Sequence, residues 1–229
     1  MIFRQLFDRE SCTYTYIVAD PETRSAAIID PVLEMFDRDV QVLGELSLSL
    51  KYSIETHVHA DHITSAFKLK EELGAEILLG ESTGLECADR LLKENEIVDL
   101  DSLRIETILT PGHTNGCTCF VVGDRVFTGD TLMIRGCGRT DFQEGSSRTL
   151  FASVREKLFS LPDETLVYPG HDYKGRTCSS IGEEKAHNPR LKVDNTLEQF
   201  AEIMDNLNLA YPKKIDVAVP ANKNCGREA

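Results

Sequence analysis

Histidine is scarce in this chain, six residues of 229, and three of the six crowd into His57-Val58-His59-Ala60-Asp61-His62. No other feature constrains the fold as tightly. His57 and His59 are two apart, so on an extended chain they point to the same side. The residues before them, Tyr52 to Thr56, read as a strand, and Ile63 to Leu73 reads as a helix stopped by Gly74. The cluster therefore sits where a strand hands over to a helix. Other strands end in the same way. Thr110-Pro111-Gly112-His113, Tyr168-Pro169-Gly170-His171 and Phe127-Thr128-Gly129-Asp130 each carry a ligand type just past a predicted strand. Five histidines and two aspartates thus lie at strand-to-loop junctions, where rigid scaffolds place chemistry. Imidazole and carboxylate suit zinc, iron or manganese without a thiolate. His187, beside Asn188-Pro189, reads as a surface residue.

The rest of the chain supplies sheets and their cover. Strands are predicted at Thr13 to Val18, Ser25 to Asp30, Ala75 to Leu79, Leu103 to Leu109 and Thr165 to Tyr168. Cys117 to Val122 and Arg125 to Thr128 flank Gly123-Asp124, a hairpin signal. Helices are predicted from Val40 to Leu50, from a Ser147 cap to about Phe159, and from the capping box Thr196-Leu197-Glu198-Gln199 to about Leu207. Strands alternate with helices early and helices close the chain, which suits sheets covered by helices in one domain, residues 1–229.

Charge and cysteine usage narrow the function. Asp+Glu 38 against Lys+Arg 25 leaves −13, and a surface this acidic repels a phosphate backbone. Nucleic acid is therefore not an expected partner. Apolar runs are far below the ~20 residues of a membrane span, and the first ten residues do not read as a secretory signal. Seven cysteines, an odd number with no Cys-x-x-Cys, read as reduced and mostly buried thiols of a cytosol-like compartment. Cys117 and Cys119 alternate on one strand and share a face; Cys137, in a glycine-rich loop, stands apart.

The order His57-x-His59-x-Asp61-His62, His113, Asp130, His171 resembles the metallo-β-lactamase superfamily. Within it, Arg135-Gly-Cys-Gly-Arg-Thr-Asp-Phe-Gln143, Pro169-Gly-His-Asp-Tyr173, His187-Asn-Pro-Arg-Leu191 and Val219-Pro-Ala-Asn222 resemble the persulfide dioxygenases, over nearly the whole chain. The resemblance implies an α+β fold, an αββα sandwich with the metal at one edge between the sheets. It implies oxidation of glutathione persulfide by O2 and water to sulfite and glutathione. It implies one Fe(II) per chain, held by His57, His113 and Asp130, with His59, Asp61, His62 and His171 in supporting positions. Such a 2-His-1-carboxylate triad leaves positions open for sulfur and O2. Every ligand of a second metal site is nevertheless present. The alternative is therefore a glyoxalase II-like dinuclear zinc thiolesterase, although only 58 residues follow His171, few for the longer helical domain of those enzymes.

Glutathione carries two carboxylates, so an acidic protein must gather local positive charge to hold it. Arg139, Tyr173, Lys174, Arg176 and Arg190 are the candidates, a guanidinium being suited to a carboxylate. Asp172 is a further candidate, for the substrate or for fixing a histidine tautomer. The expected setting is cytoplasmic, or the mitochondrial matrix in a eukaryote, without a membrane partner. Members of this branch often form homodimers.

Overall fold

Tyr14–Ala19 is buried at all six positions, and its two faces feed different cores. The structure, a computed structural model, describes residues 1–227. In its first half run β1 (Ile2–Phe7), β2 (Tyr14–Ala19), β3 (Ser25–Ile29), α1 (Phe36–Glu45), β4 (Ser49–Ile54), α2 (Ala66–Leu73), β5 (Glu76–Gly80) and β6 (Arg90–Leu92). These six strands form one sheet, in chain order. The second half adds β7 (Ile97–Leu100), β8 (Leu103–Leu109), β9 (Thr118–Val122), β10 (Arg125–Gly129), α3 (Ser147–Ala152), β11 (Leu166–Pro169) and β12 (Ser179–Ser180). They build a second six-stranded sheet, β12-β11-β10-β9-β8-β7. The chain ends in α4 (Ile181–His187), α5 (Leu197–Asp205) and α6 (Ile215–Asn222).

The alternation along β2 explains the layering. Tyr14, Tyr16 and Val18 point inward with Ala27, Ile29, Ile54 and Leu78, and meet Ile105, Phe120, Phe127 and Tyr168 of the other sheet. Ile17 and Ala19 point outward, where Phe36, Leu43 and Leu69 of α1 and α2 cover them. On the far side Val126 and Val167 are covered by Leu150, Ile181, Phe200 and Met204 of α3, α4 and α5. The result is the expected αββα sandwich. Each fully buried Leu, Ile or Phe contributes roughly 1.5–3 kcal/mol, so three apolar layers hold the two sheet edges in fixed register.

Several boundaries differ from the sequence reading. The helix predicted at Val40 to Leu50 starts at Phe36 and stops at Glu45, because Ser47 turns left-handed (φ 52) and Ser49–Leu50 join β4. Ser146, not Ser147, caps α3, its hydroxyl accepting from the Thr149 N–H. A wider-wound turn and a tighter one then carry the helical path to Ser160. The capping box at Thr196 and Gln199 is as predicted. Strands β1, β6, β7 and β12 and helices α4 and α6 were not anticipated.

The cysteine expectation needs correction for one pair. Cys87 and Cys225 form a disulfide across 138 residues of sequence, because the end of α6 packs beside the segment that follows β5. Cys12, Cys117, Cys119, Cys137 and Cys178 are free. Burial pushes the thiols of Cys117, Cys119 and Cys137 up to about 11, 12 and 11, so they stay protonated and unreactive.

Candidate metal centre

Parallel pairing places the site. Strands β3, β4 and β5 run parallel, as do β10 and β11, so their carboxyl ends share an edge. Asp30 follows β3, His57 follows β4, Asp130 follows β10 and His171 follows β11. His113 arrives from the end of β8 through Pro111-Gly112.

His57, His113 and Asp130 bring ligand atoms to within 4.8 Å of one another. The hydrogen bonds around them decide which atoms are free. The Thr56 hydroxyl donates to Asp30 Oδ2 at 2.8 Å, so its oxygen accepts from His57 Nδ1 at 2.9 Å. His113 Nδ1 donates to the Arg139 carbonyl at 2.6 Å. Both rings therefore carry their proton on Nδ1 and offer Nε2 as a lone pair, the arrangement a metal-binding histidine needs. Burial, with His59 and His113 nearby, holds the His57 pKa well below its usual value and keeps it neutral. Burial alone would raise the Asp130 pKa, but His171 and the other histidines more than offset it, and the carboxylate stays ionised. Two imidazole nitrogens and one carboxylate fit a divalent metal ion.

The remaining predicted histidines and Asp61 bond to one another and to neighbouring carboxylates. His171 Nδ1 meets Asp130 Oδ1 at 2.7 Å, and its Nε2 meets Asp61 Oδ2 at 3.0 Å and Thr13 Oγ1 at 3.1 Å. Asp61 Oδ2 also takes His62 Nδ1 at 2.9 Å. His59 Nε2 lies 3.1 Å from Asp30 Oδ1 and 3.3 Å from Glu55 Oε2. Burial opposes charge on His59, but Asp30 and Glu55 raise its pKa to about 10. His59 Nδ1 and His62 Nε2 are buried without a partner. With Asp61 they form a second cluster of metal-ligand type.

The predicted substrate residues are placed less uniformly. Arg139 Nε and Nη2 grip Asp141 at 2.6 and 2.7 Å, and Nη1 donates to the Ala210 carbonyl at 2.8 Å. Its guanidinium is not the free fork expected, because an acid two residues on competes for it. Arg190 Nη1 donates to the Cys137 carbonyl at 2.9 Å. Asp172 is buried and ties its own turn, accepting from the N–H groups of Lys174 and Arg176, both at 2.8 Å, and pairing with the Arg176 side chain. Tyr173 stacks on the His171 ring at 5.9 Å and is 68% exposed. Lys174 is exposed and pairs with no carboxylate among the described residues.

Sequence reasoning missed Thr13, Asp30, Glu55 and Asn222. Asp30 accepts the Thr56 N–H at 2.7 Å as well as the Thr56 hydroxyl, and holds His59. Asn222 donates to the carbonyls of His59 (2.9 Å) and His62 (2.8 Å) and accepts the Thr64 N–H at 2.9 Å. In the sequence Asp30 is visible only as an aspartate ending a predicted strand; that this strand runs beside the motif strand is a fact of the fold.

Residues 8–171 match the family model described as the metallo-beta-lactamase superfamily. The chain belongs to that superfamily. Within it the chain is 48% identical, over 99% of its own length and 89% of the relative's, to a Mus musculus protein named persulfide dioxygenase ETHE1, mitochondrial. A crystal structure described as ETHE1 from Myxococcus xanthus superposes with a TM-score of 0.97 at 53% identity, covering 99% of this chain and 100% of that one. A Haemophilus influenzae protein named hydroxyacylglutathione hydrolase GloC is 38% identical, over 74% of this chain and 89% of its own. Full-length identity places the chain in the persulfide dioxygenase branch of the superfamily. Among the described residues no helix is long and apolar enough to cross a membrane.

Proposed function

We propose that this chain is a persulfide dioxygenase that uses one iron(II), held by His57, His113 and Asp130, to convert glutathione persulfide, O2 and water to glutathione and sulfite. The observation that carries the reading is the tautomer control at His57 and His113, joined to full-length identity with a persulfide dioxygenase. The chemistry that iron(II) supplies when bound is joint redox activation of a soft sulfur anion and dioxygen. The protein contributes orientation. Thr56 and the Arg139 carbonyl hold the two imidazoles, and His171 holds Asp130 Oδ1. Tyr173, stacked on His171, and Lys174 beside it are the polar groups left at the surface to meet the glutathione carboxylates. A cytoplasmic setting, or the mitochondrial matrix in a eukaryote, and O2 as co-substrate belong to the same proposal.

One observation favours a second reading. The buried, unpartnered His59 Nδ1 and His62 Nε2 suit a second metal ion, as a dinuclear thiolesterase would need. Elemental analysis with an oxygen electrode separates the two. One iron per chain, with O2 uptake on adding glutathione persulfide, supports the dioxygenase. Two zinc ions per chain and thioester hydrolysis without O2 uptake refute it.

A further inference from the structure

The segment His187-Asn188-Pro189-Arg190-Leu191 contributes no metal ligand, yet it is tied to the site through peptide groups. Asn188 is fully buried. Its Nδ2 donates to the Gly136 carbonyl at 3.0 Å and to Glu184 Oε2 at 2.9 Å, and Oδ1 accepts the N–H groups of Arg190 (3.0 Å) and Leu191 (3.1 Å). Glu184 in turn accepts the Arg135 N–H at 2.9 Å and pairs with the Arg135 guanidinium. Arg190, fixed by Asn188, holds the next carbonyl in line, that of Cys137, at 2.9 Å.

The two peptide groups that follow act on the triad. The Gly138 N–H donates to the Asp130 carbonyl at 2.6 Å, and the Arg139 carbonyl accepts from His113 Nδ1 at 2.6 Å. There is no slack between them. A Cβ on Gly138 would lie 2.6 Å from His113 Nδ1 and 2.8 Å from the Asp130 carbonyl oxygen. The stretch Cys137–Arg139 is thus a template lying against two of the three triad residues, clamped at Gly136 and Cys137 from the tail.

We propose that Arg190 is a positioning residue: by holding the Cys137 carbonyl it fixes the template that sets His113 and Asp130, and it does not bind substrate. The inference rests on the reading that His57, His113 and Asp130 hold the metal. Losing a direct partner of a metal ligand weakens the metal by roughly 10–100-fold, and Arg190 acts on such a partner, the Arg139 carbonyl, through the Cys137–Arg139 backbone. The same loosening lowers kcat and leaves the Michaelis constant for glutathione persulfide in place, because Arg190 touches no substrate.

The test compares wild type with Arg190→Met, which keeps an apolar stem but no donor, Arg190→Lys, which keeps a donor, and His113→Ala. Fe(II) affinity is read by chelator competition without oxygen, and the Co(II) absorption spectrum reports the ligand field. Circular dichroism and thermal unfolding check each apoprotein. Expected for Arg190→Met are 10–100-fold weaker Fe(II) binding, an altered Co(II) spectrum, lower kcat and an unchanged Michaelis constant at saturating iron, with Arg190→Lys recovering most of the affinity. Unchanged metal affinity in Arg190→Met, with or without a raised Michaelis constant, overturns the proposal; a raised one makes Arg190 a substrate residue. If Arg190→Met does not fold, Arg190→Gln, too short to reach the Cys137 carbonyl, decides: weaker Fe(II) binding with an unchanged Michaelis constant supports the proposal, and wild-type affinity overturns it. Should His113→Ala keep its iron, the triad reading itself fails, which separates that failure from a failure of the Arg190 proposal.

Discussion

The two sheets furnish the site in opposite ways. The first delivers His57, His59, Asp61 and His62 from a single turn after β4, so one piece of backbone places four side chains. The second delivers His113, Asp130 and His171 from the ends of three strands, so three loops must each arrive correctly. The contiguous arm is oriented by buried polar side chains, Asp30 beneath it and Asn222 behind it. The dispersed arm is oriented by close backbone approach, and glycines permit it. A Cβ on Gly129 would lie 2.4 Å from Thr56 Oγ1, and one on Gly170 would lie 2.9 Å from Asp130 Oδ1. A contiguous motif tolerates variation in what surrounds it, whereas a dispersed one depends on every spacing.

The most severe break is at the triad, which spans both arms. His57→Ala, His113→Ala or Asp130→Ala should each abolish iron binding, because a three-residue site has no spare ligand. Activity should fall by about 10³-fold or more, about 4 kcal/mol of barrier. On the proposed assignment His171→Ala should keep most of its iron, because His171 Nδ1 is bonded to Asp130 Oδ1. Iron analysis of the purified variants decides. Near-complete iron loss in His171→Ala would show that His171 is itself a ligand.

The next break tests the glycine argument. Gly170→Ala places a methyl group against Asp130 Oδ1 without touching charge or hydrogen-bonding capacity. The resulting misplacement at a ligand should lower kcat by more than about tenfold, up to the roughly 10²-fold that a shift of about 1 Å brings. The fold, checked by circular dichroism, should persist. Wild-type activity in this variant would show that the dispersed arm has more room than its geometry implies.

On the contiguous arm the corresponding change is Asp30→Asn. The amide keeps the shape but loses the charge that binds His59 and one of the acceptors that serve Thr56. Roughly tenfold weaker iron binding is expected, at the low end of such effects, because Thr56 retains its place in the backbone. Chelator competition measures it. A loss as large as that of His57→Ala would mean that Asp30 contacts the metal.

How much of this was legible in the sequence follows the same division. The contiguous motif could be read directly, and the dispersed residues could be read because each follows a Pro-Gly or Thr-Gly strand ending. Asp30 could not, because its role depends on β3 lying beside β4, and strand neighbours are a tertiary fact. Arg139 and Arg190 were legible as positive charges but not as to partner. Asp141 and the carbonyls of Ala210 and Cys137 hold them, and a backbone carbonyl leaves no trace in composition. The disulfide was hidden for a related reason, its halves being 138 residues apart. The short strands β6 and β7 carry too few residues for alternation to register.

A carboxylate away from the site sharpens the comparison with the smallest change, one that should leave activity alone. Asp130 is buried and Asp61 half-buried, both lie against histidines, and their pKa values fall below the usual range because those neighbours outweigh desolvation. Asp39, on α1, is fully buried, yet among the described residues its only side-chain partner is Arg38, and Oδ2 has none. Burial therefore dominates, and its pKa rises from 3.8 to about 6. The sign for stability is the reverse of the usual carboxylate. Below about pH 4 Asp39 is protonated in both folded and unfolded chains and imposes no penalty. Above about pH 6 it is ionised in both, and the folded protein bears the full cost of a buried charge. Wild type should thus lose about 1–3 kcal/mol from this one group between pH 4 and pH 7.5. Asp39→Asn should lose correspondingly less over the same interval, with iron content and kcat unchanged. Urea unfolding of both proteins at the two pH values gives the comparison directly. If Asp39→Asn were relatively less stable at pH 7.5 than at pH 4, the Arg38 pair would outweigh desolvation. Asp39 would then be a stabilising charge like those beside the histidines.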